Sequence, residues 1–296
     1  MKRRTILFLL AAVMLCAMTA CTKNQPTVPA PAPDAAQAPA VNETEAKELK
    51  DATINVFIAA SLNGCFEEIV KLYAASHPNI TVNLNPDSSG KLLKQIEEGS
   101  ACDIFFSAST KQINELEEKG LMVAGSRVDL LENILSVITW KGSGTAVTGL
   151  SELGKAKTLA LADASVPAGN YTRIALSKLG ILSDPNADTA AVSQALGGVE
   201  INECSNVSKV KEAIKEHSNE VGTVYYSDAY SIKDDIDVIE KVSTELTGEV
   251  VYPVVRVVNR EANEDVNAAA DDFMSFLETP EVLKLYEDFM FTVHKK

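Results

Sequence analysis

The chain has 296 residues, 46% of them hydrophobic, which is enough for an export segment and two modest folded lobes and is too apolar for a disordered protein. With 27 Lys and Arg against 41 Asp and Glu, its formal charge is −14. That balance argues against a nucleic-acid binder and against a basic surface for anionic lipid, and five cysteines without a Cys-x-x-Cys pair support neither a zinc knuckle nor a disulfide framework.

At the start of the chain, Lys2, Arg3 and Arg4 precede an apolar run over residues 6–14 that is too short to remain as a membrane span. Met18-Thr19-Ala20-Cys21 follows. A cationic start, a short apolar stretch and small residues before a cut site read as a secretory signal over residues 1–20. Small residues directly before a cysteine resemble the bacterial lipobox, so Cys21 is expected to be acylated and to become the mature N-terminus. Cys16 fits less well because the bulky Leu15 stands before it. Residues 21–51 are rich in Ala, Gln and acids and crowd Pro26, Pro29, Pro31, Pro33 and Pro39 together. Such a stretch has little to bury against the entropy of ordering and reads as a tether. Cys65, Cys102 and Cys204 are left in the body and are expected to be buried free thiols.

From residue 52 onward, short β-branched runs alternate with helical periodicity. Residues 53–59 read as a strand and 64–76 as a helix with Phe66, Ile69, Val70 and Tyr73 inward. A strand over 80–84, a helix over 90–98, a strand over 104–106 and a helix over 110–119 follow. Strands are expected at 135–140, 158–162 and 221–226, with helices near 170–179, 188–196 and 208–216. A longer strand over 250–258, interrupted by Pro253, leads to helices near 264–277 and 280–288. This alternation predicts an α/β fold with mainly parallel sheets. Ligands in such sheets bind beyond the carboxyl ends of the strands, where helices begin.

Four junctions of that kind share one character: Ala59-Ala60-Ser61-Leu62-Asn63, Asp87-Ser88-Ser89-Gly90-Lys91, Val166-Pro167-Ala168-Gly169-Asn170-Tyr171 and Ser205-Asn206-Val207-Ser208. Each offers small or hydroxylated residues where backbone N–H groups lack a partner within the helix, and such ends attract anions. Taken singly, each is explained by ordinary N-capping. A single helix dipole contributes only ~0.3–1 kcal/mol, whereas several converging donors could hold a dianion without Lys or Arg.

The order and context of the junctions carry a resemblance. Val56-Phe57-Ile58-Ala59-Ala60-Ser61-Leu62 is similar to the opening of the molybdate-binding proteins of ABC importers. So are the run from Ser88-Ser89-Gly90-Lys91 to Gly99 with Cys102-Asp103-Ile104-Phe105-Phe106-Ser107-Ala108, the Val166 to Tyr171 motif, and Val221-Gly222-Thr223-Val224-Tyr225-Tyr226-Ser227-Asp228-Ala229. The similarity covers residues 53–291. It implies a two-lobed periplasmic-binding-protein fold of class II, each lobe a mainly parallel sheet flanked by helices, joined by two crossover strands. Residues 52–132 with 252–296 would form one lobe and 133–251 the other. The resemblance further implies that Ser61 and Ser89 bind the oxyanion through hydroxyl and backbone N–H, Ala168 and Val207 through backbone N–H, and Tyr225 through its phenol. Residues 183–204 depart from the family pattern, and Val207 is placed by the spacing that runs from it to the Gly222–Tyr225 block.

The implied protein is a monomeric, lipid-anchored carrier on the extracytoplasmic face of the cell membrane. It would capture molybdate or tungstate for a permease and its ATPase, with no cofactor and no nucleic-acid partner. Sulfate or thiosulfate are the alternative ligands. An all-neutral donor set suits a fully deprotonated oxyanion and disfavours hydrogen phosphate, whose proton needs an acceptor. Asp87 departs from the small residue common in the family and is expected to face solvent or cap the following helix. A receptor or adhesin of the same fold is a further reading. A serine hydrolase is the rival from another class, but no histidine among His77, His217 and His294 neighbours a candidate serine in sequence. Ser88-x-x-Lys91 matches a serine–lysine pattern too short to be specific.

Overall fold

The computed structural model describes residues 49–294. The expected signal segment, the lipidation at Cys21 and nearly all of the tether lie outside the described residues.

Strand β1 (Ala52–Ala59) leads through a 3-10 turn (Ala60–Leu62) into α1 (Asn63–Ser76), then β2 (Ile80–Asp87), α2 (Ser89–Glu97), β3 (Ile104–Phe106) and α3 (Thr110–Glu118). β4 (Val128–Asn133) is followed, after Ile134 alone, by β5 (Leu135–Trp140). A 3-10 segment (Leu150–Lys155), β6 (Thr158–Ala162), α4 (Pro167–Lys178), α5 (Thr189–Ala195), β7 (Glu200–Cys204), α6 (Val207–Lys215) and β8 (Val221–Tyr225) come next. The chain continues with α7 (Tyr226–Ser231), β9 (Ile236–Lys241), α8 (Thr244–Thr247) and β10 (Val250–Arg256). It ends in α9 (Glu264–Phe276), α10 (Pro280–Asp288) and β11 (Thr292–Val293).

Two mixed sheets result. The first has the order β11-β4-β10-β3-β1-β2 and the second β7-β6-β8-β5-β9. In the first, β1 pairs in parallel with β2 and β3, while β10 runs antiparallel to both β3 and β4. In the second, β6 is parallel to β7 and β8, while β5 is antiparallel to β8 and β9. The sheets are mixed rather than mainly parallel as expected: only one trio in each, β2-β1-β3 and β7-β6-β8, is parallel. The antiparallel members follow from chain path: β5 and β10 are the strands on which the chain arrives from the other sheet, so neither is fed by a crossover helix of its own sheet. Pro253 does not end β10. It sits where the β10–β4 register shifts, at a bulge that spares the ladder the N–H proline lacks.

Helices cover both faces of the first sheet, so β1 reads as a nearly continuous apolar run with Ile54, Val56 and Ile58 fully buried. On one face Phe57, Phe105 and Val255 pack with Leu92, Leu93 and Ile96 of α2 and Ile113 and Leu116 of α3. On the other, Phe66 of α1 meets Phe106 edge-on at 5.7 Å, and Tyr73 meets Phe273 of α9 at 4.8 Å. The helical spacing of Phe66, Ile69 and Tyr73 is what turns these three side chains to one side.

In the second sheet a buried guanidinium fixes the start of α4. Arg173 is 0% exposed and donates to the carbonyls of Ala162, Gly169 and Ala187 and to the Thr189 hydroxyl, at 2.9 to 3.1 Å. Burying a charge is tolerable only when its donors are satisfied, and here they bind the C-terminal end of β6 to the first turn of α4. That packing leaves no room for a side chain at Gly169, where a Cβ would lie 2.3 Å from the Ala162 and Asp163 carbonyls.

Candidate functional site

The carboxyl ends of β1, β2, β6 and β8 point toward one small cavity. Ala59, Ala60, Ser61, Ser88, Ser89 and Ala108 line it from the first sheet, and Val166, Pro167, Ala168, Val207 and Tyr225 from the second. All five positions expected to bind, Ser61, Ser89, Ala168, Val207 and Tyr225, are therefore brought together, although they span 165 positions of sequence from first to last. No charged side chain is among the lining residues described.

Each wall is built from helix starts. Ser89 opens α2, Ala168 follows Pro167 in the first turn of α4, and Val207 opens α6, so the N–H groups of Ser89, Ala168 and Val207 belong to first turns that have no helical carbonyl four residues back. The sequence placed α4 and α6 later, at about 170 and at 208. Pro167 explains the first difference, since proline at the first helical position costs nothing and presets φ. Asn206 explains the second. Its side chain accepts from Lys209 N at 3.0 Å, which makes it the N-cap and Val207 the first helical residue. Thr172 ties α4 to the second sheet by bonding the Thr223 hydroxyl of β8 at 2.9 Å.

The serines of the first wall are held by their neighbours in a way that can leave protons to give. Ser89 Oγ accepts from Ala108 N at 3.0 Å, so its own hydroxyl hydrogen remains available. Asn133 Nδ2 donates to Ser227 Oγ at 2.9 Å and to Tyr252 Oη at 3.3 Å, and Tyr252 Oη lies 2.9 Å from Ser61 Oγ. Either hydroxyl can donate in the Ser61–Tyr252 bond, and since Tyr252 already accepts from Asn133, donation by Tyr252 would use its one hydrogen and leave that of Ser61 free.

Two buried hydroxyls on the cavity have no hydrogen-bond partner among the described residues: Ser88 Oγ and Tyr225 Oη. They are 3% and 1% exposed. An unpaired buried hydroxyl costs about 1–3 kcal/mol, and two facing the same small space mark it as a place for a polar guest. Burial pushes the Tyr225 phenol well above its ordinary range, reinforced by the neighbouring Tyr252 and Tyr171. It therefore stays protonated and acts as a donor. Tyr252, which meets Tyr225 edge-on at 5.5 Å, is raised by burial in the same way. Just behind this pair, Asp228 is pushed up to about 6 by burial, partly opposed by Lys211 at 3.8 Å.

Ser88, Ala59, Ala60 and Ala108 were not singled out by the sequence. Ser88 sits inside the quoted motif, and only its orphaned hydroxyl distinguishes it from an ordinary cap. Asp87 neither lines the cavity nor simply faces water. Its Oδ1 accepts from Ser88 N at 2.7 Å and from Asn206 Nδ2, on the opposite wall, at 3.1 Å. Cys65, Cys102 and Cys204 are buried and free, as expected, and none lines the cavity. The three histidines are engaged elsewhere: His77 stacks on Tyr73, His217 on Trp140, and His294 pairs with Glu132. None lines the cavity with Ser61, Ser88 or Ser89, so the serines have no imidazole base.

Known proteins share this architecture. The family model described as bacterial extracellular solute-binding protein matches residues 54–292. The molybdate-binding protein ModA of Haemophilus influenzae is 30% identical over 247 residues, covering 81% of this chain and 90% of that protein. YvgL of Bacillus subtilis, provisionally named an ABC transporter substrate-binding lipoprotein, is 28% identical over 252 residues, 85% of this chain and 90% of that one. Among solved structures, the substrate binding domain of a provisionally named molybdenum ABC transporter from Clostridium difficile superposes with a TM-score of 0.59 at 29% identity. It covers 82% of this chain and 100% of that chain. A match across most of the chain, with the helix starts that form the cavity inside it, has one reading: the chain belongs to the bacterial extracellular solute-binding protein family, in its ModA-type branch.

Proposed function

We propose that the chain captures molybdate, with tungstate as a near equivalent, and passes it to the permease and ATPase of an importer. The observation that carries this reading is the convergence of Ser61, Ser89, Ala168, Val207 and Tyr225 on one small cavity with no charged lining. Ser61, Ser89 and Tyr225 would donate through hydroxyls, and Ser61, Ser89, Ala168 and Val207 through backbone N–H groups. Charge-assisted bonds contribute ~1.5–3 kcal/mol each, and micromolar capture needs ~8 kcal/mol, so this donor set suffices after the costs of ordering and dehydration. Absence of a carboxylate from the lining leaves a protonated oxyanion such as hydrogen phosphate with a proton to place, which favours fully ionised guests.

The two walls would be the faces of two lobes, residues 52–132 with 252–296 and residues 133–251, that part when the anion leaves. The passage of the chain from β4 to β5 through Ile134 alone supports a hinge there. Lipid anchoring at Cys21 is supported by the Met18-Thr19-Ala20-Cys21 sequence and by the lipoprotein name of the Bacillus subtilis relative. It would hold the carrier on the extracytoplasmic face of the membrane.

Calorimetric titration with molybdate, tungstate, sulfate, thiosulfate and phosphate at one pH tests the ligand. Tight binding of the first two alone is expected, and a preference for sulfate or thiosulfate would replace molybdate as the cargo. For the anchor, a Cys21→Ser precursor should leave the membrane fraction or remain unprocessed. Unchanged processing and fractionation would remove the lipid from the reading.

A further inference from the structure

The start of α2 is gripped from both sides by the opposite wall. Asp87, the last residue of β2, uses a single carboxylate oxygen to accept the N–H of Ser88, the N-cap of α2, and the side-chain amide of Asn206, the N-cap of α6. Asn206 in turn caps α6 through its other side-chain atom, which accepts from Lys209 N. One oxygen thus joins the two helix starts that present Ser88, Ser89 and Val207 to the cavity. Three residues further along, Gly90 lies against the backbone of Ser165, the residue before the α4 N-cap. A Cβ at position 90 would come within 2.4 Å of the Ser165 carbonyl oxygen. Such a distance is far inside van der Waals contact, and the obstacle is backbone that cannot swing aside.

We infer that the N-terminus of α2 is a clasp that holds the two walls together and sets how fast the ligand leaves. The Asp87–Asn206 bond supplies the attraction, and the bare Gly90 supplies the fit against Ser165. The inference rests on the anion-capture reading and adds to it residues that do not touch the anion. Asp87 is a positioning residue, and its carboxylate acts through acceptor geometry. Lys91, 3.7 Å from the same oxygen, accounts for the charge. Because the bond forms only when the walls meet, its loss acts on escape rather than on encounter.

The test compares Asp87→Ala, Asp87→Asn and Gly90→Ala in the full chain by stopped-flow release of molybdate, with small-angle scattering of the ligand-free proteins beside it. A single hydrogen bond of ordinary strength predicts release about fivefold faster for Asp87→Ala, with association within about twofold of the parent. Asp87→Asn keeps an oxygen acceptor without the charge and should release like the parent. If the walls cannot part, the added Cβ of Gly90→Ala strains the fold against the Ser165 carbonyl and a merely structural role predicts a lower melting temperature. The clasp predicts faster release without a lower melting temperature, and a larger radius of gyration for both alanine variants. Release within about twofold of the parent for either alanine variant, or Asp87→Asn as fast as Asp87→Ala, overturns the clasp. If the parent binds none of molybdate, tungstate and sulfate, the capture reading falls. Scattering still decides the clasp, since equal radii for all four proteins would refute it.

Discussion

The two walls of the cavity offer the same kind of donor by different means. On the first wall the donors are serine hydroxyls that are already engaged, Ser89 by Ala108 and Ser61 by Tyr252. On the second wall Ala168 and Val207 have no polar side chain, and Tyr225 carries a hydroxyl without a hydrogen-bond partner among the described residues. The first wall is thus organised before a guest arrives, and its contacts can be removed by changing side chains. The second wall presents backbone donors, whose removal requires changing the backbone itself, and a phenol that has no hydrogen-bond partner among the described residues.

If that contrast is right, Ser89→Ala gives the largest effect, because it deletes a donor to the anion and also orphans the buried Ala108 N–H. Affinity should fall roughly ten- to a hundredfold, and the melting temperature should drop as well. Ser61→Ala should cost a similar factor in affinity with a smaller thermal change, since Tyr252 keeps Asn133. If calorimetry finds either within about threefold of the parent, near 0.65 kcal/mol, the first wall does not hold the ligand.

Tyr225→Phe is the cleaner counterpart on the second wall. No other hydrogen bond is lost with the phenol, so affinity should fall by about tenfold or more while ligand-free stability stays level or rises. The loss should lie in faster release; slower association with unchanged release would contradict a phenol that engages late. Val207→Pro then isolates a backbone donor. Its position opens α6, where proline is accepted, and Asn206 before it is already extended at φ −161°. About tenfold weaker binding with little change in melting temperature is expected from differential scanning calorimetry paired with titration. Unaltered affinity would show that the Val207 N–H plays no part.

The smallest effect concerns Asp228, beneath the tyrosines of the second wall. Its carboxyl is raised from 3.8 to about 6 by burial, so between those values it is protonated when folded and ionised when unfolded. Stability from this group is therefore present at low pH and lost as pH rises through about 6. Asp228→Asn should melt a few degrees above the parent at about pH 7.5 and level with it near pH 4. Equal melting at both would mean that Lys211 neutralises the acid fully.

Much of this arrangement was legible before any coordinates. Strands 104–106, 135–140 and 158–162 and the helix 280–288 have the expected limits, because dense β-branched or periodic apolar residues leave one reading. β4 was missed although it is an interior strand, because Asp129, Glu132 and Asn133 break its apolar run, and the edge strands β7, β9 and β11 were missed for a reason they share. β7 is the edge strand Glu200–Cys204, with only Cys204 buried, and β9 interleaves Asp237, Glu240 and Lys241 among its apolar residues. Edge strands draw their stability from ladder bonds on one side and need little apolar patterning. The helix starts were visible as capping sequences, but the supports behind them were not. Tyr252 and Asn133 reach Ser61 only through the tertiary fold, and the orphaned Ser88 and Tyr225 hydroxyls are defined by what surrounds them.

The neutral lining has a consequence for the medium in which the carrier works. A lysine-lined site draws anions from a distance and loses that pull as salt is added. Here the long-range field is set by the net negative charge of the chain, −14 with Lys2, Arg3 and Arg4 included and more negative without them, which repels a dianion, while the proposed donors would act only at contact. Added salt screens the repulsion and leaves the short-range bonds largely intact. Association should therefore quicken as ionic strength rises, making the protein a faster scavenger in saline surroundings than in dilute ones.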